Sequence, residues 1–161
     1  VLTRKKRRRL ASGPHCGPHS AGGPRPPSQL TDAHAGSVPP HEAWALAQSG
    51  GAVLVDVRTA EERKFVGQVP GSVHVAWATG TSLTRNPRFV RELEAKVGKH
   101  QSVLLLCRSG KRSALAAEAA TKAGFTAVFN VLEGFEGELD DQQRRGTADG
   151  WRFRGLPWSQ D

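Results

Sequence analysis

Methionine is absent from this chain of 161 residues, and only two cysteines, Cys16 and Cys107, stand in it. Two thiols make no disulfide framework, so a cystine-stapled scaffold is not expected and a reducing compartment is the default setting. No apolar run reaches the roughly 18 residues that a membrane-spanning helix needs. The basic opening "RKKRRR" lacks the following apolar stretch of about 7–15 residues that marks a secretory signal. Its arginines, with no acidic residue before Asp32, resemble a transit peptide, but the Pro and Gly that follow oppose the amphipathic helix such a peptide forms. The cytoplasm is the expected location. With no Met and Val at position 1, the start of the chain is expected to be processed, trimmed or arbitrary.

The formal charge of +8 is unevenly spread. Residues 1–40 hold seven Lys/Arg against one acidic residue, net +6, which leaves only +2 for the remainder. The basicity therefore belongs to a tail. A solvated tail is favoured over contact with nucleic acid or an acidic surface, and the domain itself carries no nucleic-acid signature. From Leu10 to Pro40 the chain is rich in Gly, Pro, Ser and His without apolar periodicity, and burial there cannot offset the entropy of ordering. Residues 1–38 are expected to be a disordered basic tail, and residues 39–161 one folded domain. His15, Cys16 and His19 lack a fourth ligand for a closed zinc site, so no metal is expected.

Beyond the tail, strand-like and helix-like segments alternate. Pro40 suits the first position of a helix over "PHEAWALAQS", stopped by Gly50-Gly51. "AVLVDV" (Ala52 to Val57), "VHVAW", "SVLLLC" and "AVFNV" read as strands. "AEERKF" reads as a charged helical turn, "RFVRELEAKV" as a helix capped by Asn86 with Pro87 first, and "SALAAEAATKAG" as another helix. This alternation predicts an α/β fold with a mostly parallel central sheet of four to five strands and helices on both faces.

Cys107 ends one of these strands, immediately before "RSGKR" and a helix starting near Arg112 or Ser113. Ligands of parallel sheets bind beyond the carboxyl ends of the strands, where helix N-termini present unpaired N–H groups. A free thiol of pKa near 8.5 is about 3 % ionised at pH 7, and a helix N-terminus with neighbouring Arg or Lys lowers that pKa to ~3.5–7.5. Arg108, Lys111 and Arg112 act in that direction. The alternative is a buried structural cysteine; the charged, glycine-containing loop favours a reactive one. A phosphate-binding P-loop would need Gly at Leu105 and Ser or Thr at Arg112. A cysteine phosphatase would need Arg at Ser113. The shorter ring from Cys107 to Arg112 suits a group smaller than phosphate, such as a persulfide.

"CRSGKR" resembles the active-site loop of the rhodanese family, single-domain sulfurtransferases with the pattern Cys-Arg-x-Gly-x-Arg/Thr. The likeness extends to "LVDVRTAEERKFVGQVPGSVHV", with an Asp-x-Arg at a strand end and Gln68 where the family turn often has histidine. It continues through "VLEGFEGELDDQQRRG" and "GWRFRGLPWSQ". The resemblance implies the three-layer rhodanese fold, a Cys107 nucleophile, and a persulfide held by the N–H groups of Arg108, Ser109, Gly110, Lys111 and Arg112. Arg108, Lys111 and Arg112 would attract an anionic donor such as thiosulfate, or Arg112 would pair with a carboxylate to stiffen the loop. Asp56 and Arg58 are expected as a structural ion pair beside the loop, and Ser113 as a further supporting residue. His74 and His100 are expected to be ordinary polar residues, and Trp77, Trp151 and Trp158 to pack in the core or at its edge. No cofactor is implied. The acceptor would be cyanide, a small thiol or a thiol-bearing protein. The other function class is a sulfur-carrying or regulatory module of the same fold with little turnover.

Overall fold

The computed structural model of the protein describes residues 35–160. Five strands form its central sheet: β1 (Gly36–Val38), β2 (Val53–Asp56), β3 (Val73–His74), β6 (Ser102–Leu106) and β7 (Ala127–Val131). They lie in the order β1-β7-β6-β2-β3 with every pairing parallel. Helices α1 (Pro40–Ser49), α2 (Ala60–Phe65), α3 (Phe89–Lys96) and α4 (Lys111–Lys122) connect them. Two short strands, β4 (Ala78–Thr79) and β5 (Thr84–Arg85), make a separate antiparallel pair.

Period-two alternation on the strands builds a core on each face. On β6, Val103 and Leu105, followed by Cys107, pack with Val55, Val57 and Val128 against α3 and α4 through Phe89, Leu93, Ala116, Ala117 and Ala120. Leu104 and Leu106 point the other way, toward Ala43 of α1 and the C-terminal segment, where Phe135, Trp151 and Leu156 complete the second core. Each fully buried leucine contributes about 1.5–3 kcal/mol relative to exposure. The alternation that builds these cores also aims Cys107 toward α4.

Local chemistry sets several boundaries. Pro40 opens α1, and Gly50, at φ 78°, turns its N–H back onto the Leu46 and Ala47 carbonyls. Thr59 caps α2 in a reciprocal box: its side chain accepts from the Glu62 N–H, and the Glu62 side chain accepts from the Thr59 N–H.

Three expectations need correction. Order extends to β1, inside the segment assigned to the tail, because its backbone pairs in register with Phe129 to Val131 of β7 at the sheet edge; Val38 is its one large apolar side chain. Helix α3 begins at Phe89, with Arg88 at the cap position. Asn86 instead makes a local turn, accepting from the Arg88 N–H while donating to the Ala76 carbonyl and Glu92. The strand expected over "VHVAW" is two residues long. After it the Val75 and Trp77 N–H groups bond to the Asp56 and Val57 carbonyls, and the chain leaves for the β4–β5 hairpin. The group His15, Cys16 and His19 lies outside the described residues, as does most of the expected tail.

Candidate active site

At the carboxyl end of β6 the chain must turn sharply from sheet to helix within Cys107 to Gly110. Gly110, at φ 104°, lies in the left-handed region that glycine tolerates best, and α4 starts at the next residue. The turn brings the Gly110 N–H to 3.1 Å from Cys107 Sγ. Ser113 Oγ, one helical turn further, lies 3.2 Å from the same sulfur. Cys107 is a free thiol, 1 % exposed. Among the described residues the backbone N–H groups of Ser109, Lys111, Arg112 and Ser113 have no protein acceptor. They form a set of donors at the head of a twelve-residue helix, a favourable place for negative charge.

Asp56 and Arg58 leave the end of the neighbouring strand β2 as a fully buried pair. Arg58 Nη2 is 2.8 Å from Asp56 Oδ2, and the Arg58 Nε and backbone N–H both reach Oδ1 at 3.0 Å. Arg63 adds a second cation to Asp56 at 3.0 Å. Arg58 also donates to the Gly67 carbonyl and lies over the Phe135 ring, 4.2 Å from its centroid. His74 Nε2 contacts the Arg58 carbonyl oxygen, which ties β3 to this corner.

Of the two arrangements open to Arg112, the structure has the carboxylate pair. Its Nη1 and Nη2 donate to Glu62 Oε1 and Oε2 at 2.7 and 2.8 Å, linking the capping box of α2 to the head of α4. Burial works against the Glu62 carboxylate, but the hydrogen bonds and charge of Arg112, with the Thr59 N–H and Arg58, outweigh it and hold its pKa below the ordinary value. Arg112 is pushed upward in turn: burial opposes its charge, whereas Glu62, Cys107 and Asp56 favour it. Arg112 is thus already engaged by a carboxylate. Among the described residues neither Arg108 nor Lys111 has a carboxylate partner; Lys111 is exposed and Arg108 half-buried.

A pH dependence follows from the depressed Glu62 pKa. A lowered folded-state value stabilises fully above the ordinary 4.5 and is lost as pH falls through the folded value. The thermal midpoint of the wild type is therefore expected to exceed that of Glu62→Gln near neutrality, and the gap to close as pH falls from about 6 to about 3. Thermal melts across that range check it; a gap independent of pH would contradict the assignment.

Three residues not singled out in the sequence complete the site. Glu62 is one; the [S/T]-x-x-E signature at Thr59 marks its capping role, but not its grip on Arg112 across the fold. Asn130, on β7, accepts from Ser113 Oγ at 2.5 Å and donates through Nδ2 to the Gly110 carbonyl at 3.3 Å. Gly134 is the third. The Cys107 and Arg108 carbonyls accept N–H groups from Phe135, Glu136 and Gly137, so the turn after β7 lies directly on the loop. A Cβ on Gly134 would stand 2.5 Å from the Arg108 carbonyl and the Ser109 nitrogen, at a φ of 69°. Gly134→Ala is expected to cost about 1–3 kcal/mol and to displace the loop. A lowered thermal midpoint, together with an altered rate of Cys107 alkylation in the protein that remains folded, would be the result; wild-type behaviour in both would contradict the contact.

The other residues take structural places. Trp151 is fully buried and Trp77 nearly so, while Trp158, 38 % exposed, packs its ring edge-on to Phe135. His100 lies on the surface. No group of three or more metal-ligating side chains is found among the described residues. No helix among them is long and apolar enough to cross a membrane.

A cysteine at a strand end, a six-residue loop and a buried Asp-Arg support define a class of site, and comparison with known proteins identifies the family. The Rhodanese-like domain family matches residues 39–139, and the chain belongs to that family. The crystal structure of Rv0390 from M. tuberculosis is similar, with 46 % identity, a TM-score of 0.72, and coverage of 80 % of this chain and 99 % of that one. An uncharacterized protein of Rickettsia conorii is 34 % identical over 70 % of this chain and 87 % of its own length. A protein of Actinobacillus pleuropneumoniae named thiosulfate sulfurtransferase GlpE is 28 % identical over 74 % of this chain and 89 % of its own.

Proposed function

We propose that the protein is a sulfurtransferase that carries a sulfane sulfur on Cys107. The observation that carries this reading is the meeting of Cys107 Sγ with the Gly110 N–H and the Ser113 hydroxyl at the head of α4. Adjacent N–H groups stand without protein acceptors, one bond length beyond a sulfur being the place a persulfide's outer atom would occupy.

In the first half-reaction the Cys107 thiolate attacks the outer sulfur of thiosulfate or a comparable donor. A Sγ–S bond forms, the donor's S–S bond breaks, and its electron pair leaves with sulfite. Arg108 and Lys111 attract the anionic donor, while Arg112, neutralised by Glu62, keeps the loop in shape. In the second, cyanide or a thiolate attacks the outer sulfur, the Sγ–S bond breaks, and its electron pair stays on Cys107. No external oxidant or reductant is needed. The cytoplasm, with its reduced thiols, suits this cycle. The named activity of the Actinobacillus relative supports thiosulfate as the first donor to try.

Ring size gives a discriminating test. The ring from Cys107 to Arg112 is one residue shorter than a cysteine phosphatase uses, a size suited to the single outer sulfur of a persulfide rather than to the oxygens of a phosphoryl group. Assays should find thiosulfate consumed with cyanide as acceptor and negligible hydrolysis of an aryl phosphate. Ready phosphate hydrolysis without sulfur transfer would overturn the reading, and one stoichiometric sulfur taken up without turnover would favour a carrier.

A further inference from the structure

The cycle proposed above asks Cys107 Sγ to be charged as nucleophile, uncharged in the persulfide, and charged again as leaving group. A neighbour that responds to this change must have a movable proton. Ser113 has one: its hydroxyl is buried between Sγ, at 3.2 Å, and Asn130 Oδ1, at 2.5 Å. One hydroxyl carries one proton and cannot donate to both acceptors at once.

The orientation of Asn130 decides which acceptor has it. Its Nδ2 donates to the Gly110 carbonyl, a group that can only accept, so Oδ1 must face Ser113. An amide oxygen can only accept, so its hydrogen bond with the Ser113 hydroxyl places the Ser113 proton between the two oxygens. Its lone pairs then face the sulfur, which suits an S–H or an uncharged Sγ and opposes a thiolate. Turning the proton to a charged Sγ costs the Ser113–Asn130 hydrogen bond and leaves a buried carbonyl oxygen unpaired.

We propose that Asn130 is a positioning residue that holds the Ser113 proton while Cys107 Sγ is uncharged and yields it when charge arrives on that sulfur. The proposal rests on the sulfurtransferase reading for its purpose, though not for its geometry. When the acceptor's electron pair forms the new bond to the outer sulfur, the electron pair of the breaking Sγ–S bond stays on Sγ. The Ser113 O–H then swings from Asn130 to Sγ without leaving its oxygen. Formation of the next persulfide reverses the swing. The charged groups about Cys107 are Arg108 of the loop, Lys111 and Arg112 of α4, Glu62 of α2, and Asp56 with Arg58 and Arg63 at the end of β2 and in α2. All of them stay unchanged in the variants below.

The test is the pH profile of Cys107 alkylation by iodoacetamide in the full chain carrying Cys16→Ser, which needs no sulfur donor. Asn130→Ala removes the competing acceptor, and its profile is expected to move toward lower pH by about 0.5–1 unit, the equivalent of one net hydrogen bond. Asn130→Val, suited to its strand, should do the same and guards against a misfolded alanine variant. In a Ser113→Ala background both substitutions should leave the profile in place. Unmoved profiles, a shift to higher pH, or a shift that persists without the Ser113 hydroxyl would each overturn the proposal. A shift that depends on Ser113 in a protein that takes no sulfur from thiosulfate would support the Asn130 role and sink the sulfurtransferase reading; sulfur uptake with an unmoved profile would do the reverse.

Discussion

Cys107→Ser is expected to lower sulfur transfer at least about a thousandfold, more than 4 kcal/mol of transition-state stabilisation, while the fold persists. An alcohol at that position cannot form or release a persulfide. The fold should tolerate it because the serine oxygen is smaller than sulfur and meets the same two polar neighbours, the Gly110 N–H and Ser113 Oγ. A thermal midpoint within a few degrees of wild type, with activity gone, is the expected pair of results. Cys16→Ser should change neither. Equal loss from both substitutions would remove Cys107 from the centre of the chemistry.

The largest effect on stability is expected from Asp56→Ala. The carboxylate is wholly buried and accepts from the Arg58 backbone and guanidinium and from Arg63. Its removal leaves the Arg58 charge buried with the Gly67 carbonyl and the Phe135 face as its remaining partners. Breaking a buried pair from one side costs about 3–5 kcal/mol, because the remaining charge is still without water. Domains of this size are stable by only about 5–15 kcal/mol. Denaturant unfolding should therefore show the midpoint fall steeply. A loss below about 1 kcal/mol would mean that water or another group solvates Arg58.

Features fixed by local chemistry were legible in the sequence. Pro40 and the Gly50 stop bound α1, "AEERKF" is the helix expected of it, and the continuous apolar run "SVLLLC" brings Cys107 to the end of a strand. Asp56 and Arg58 form the ion pair expected of them. What escaped depends on contacts distant in sequence. Glu62 meets Arg112 across 50 positions, and Asn130 meets Ser113 across 17. The spacing from Thr59 separates Glu62 from Glu61 as a cap, but no local pattern marks its grip on Arg112 or picks out Asn130 within a short apolar run. Gly134 looks like any turn glycine until the Arg108 carbonyl is placed against it. Asn86 misled for a related reason: its side chain is drawn to Glu92 and the Ala76 carbonyl, which moves the start of α3 onward.

The same contacts explain how a short loop keeps its shape. Glu62 holds it from the α2 side, the turn after β7 from below through the Cys107 and Arg108 carbonyls, and Asn130 through the Gly110 carbonyl. With its carbonyls bonded outward to these elements, the loop is left with N–H groups to present toward the sulfur.

Intact mass spectrometry after incubation with thiosulfate tests the central claim most directly. The wild-type protein is expected to gain one sulfur, about 32 Da, lost again on addition of cyanide or a reducing thiol. Cys107→Ser is expected to gain none. An unchanged wild-type mass, or the same gain in Cys107→Ser, would contradict a persulfide on Cys107.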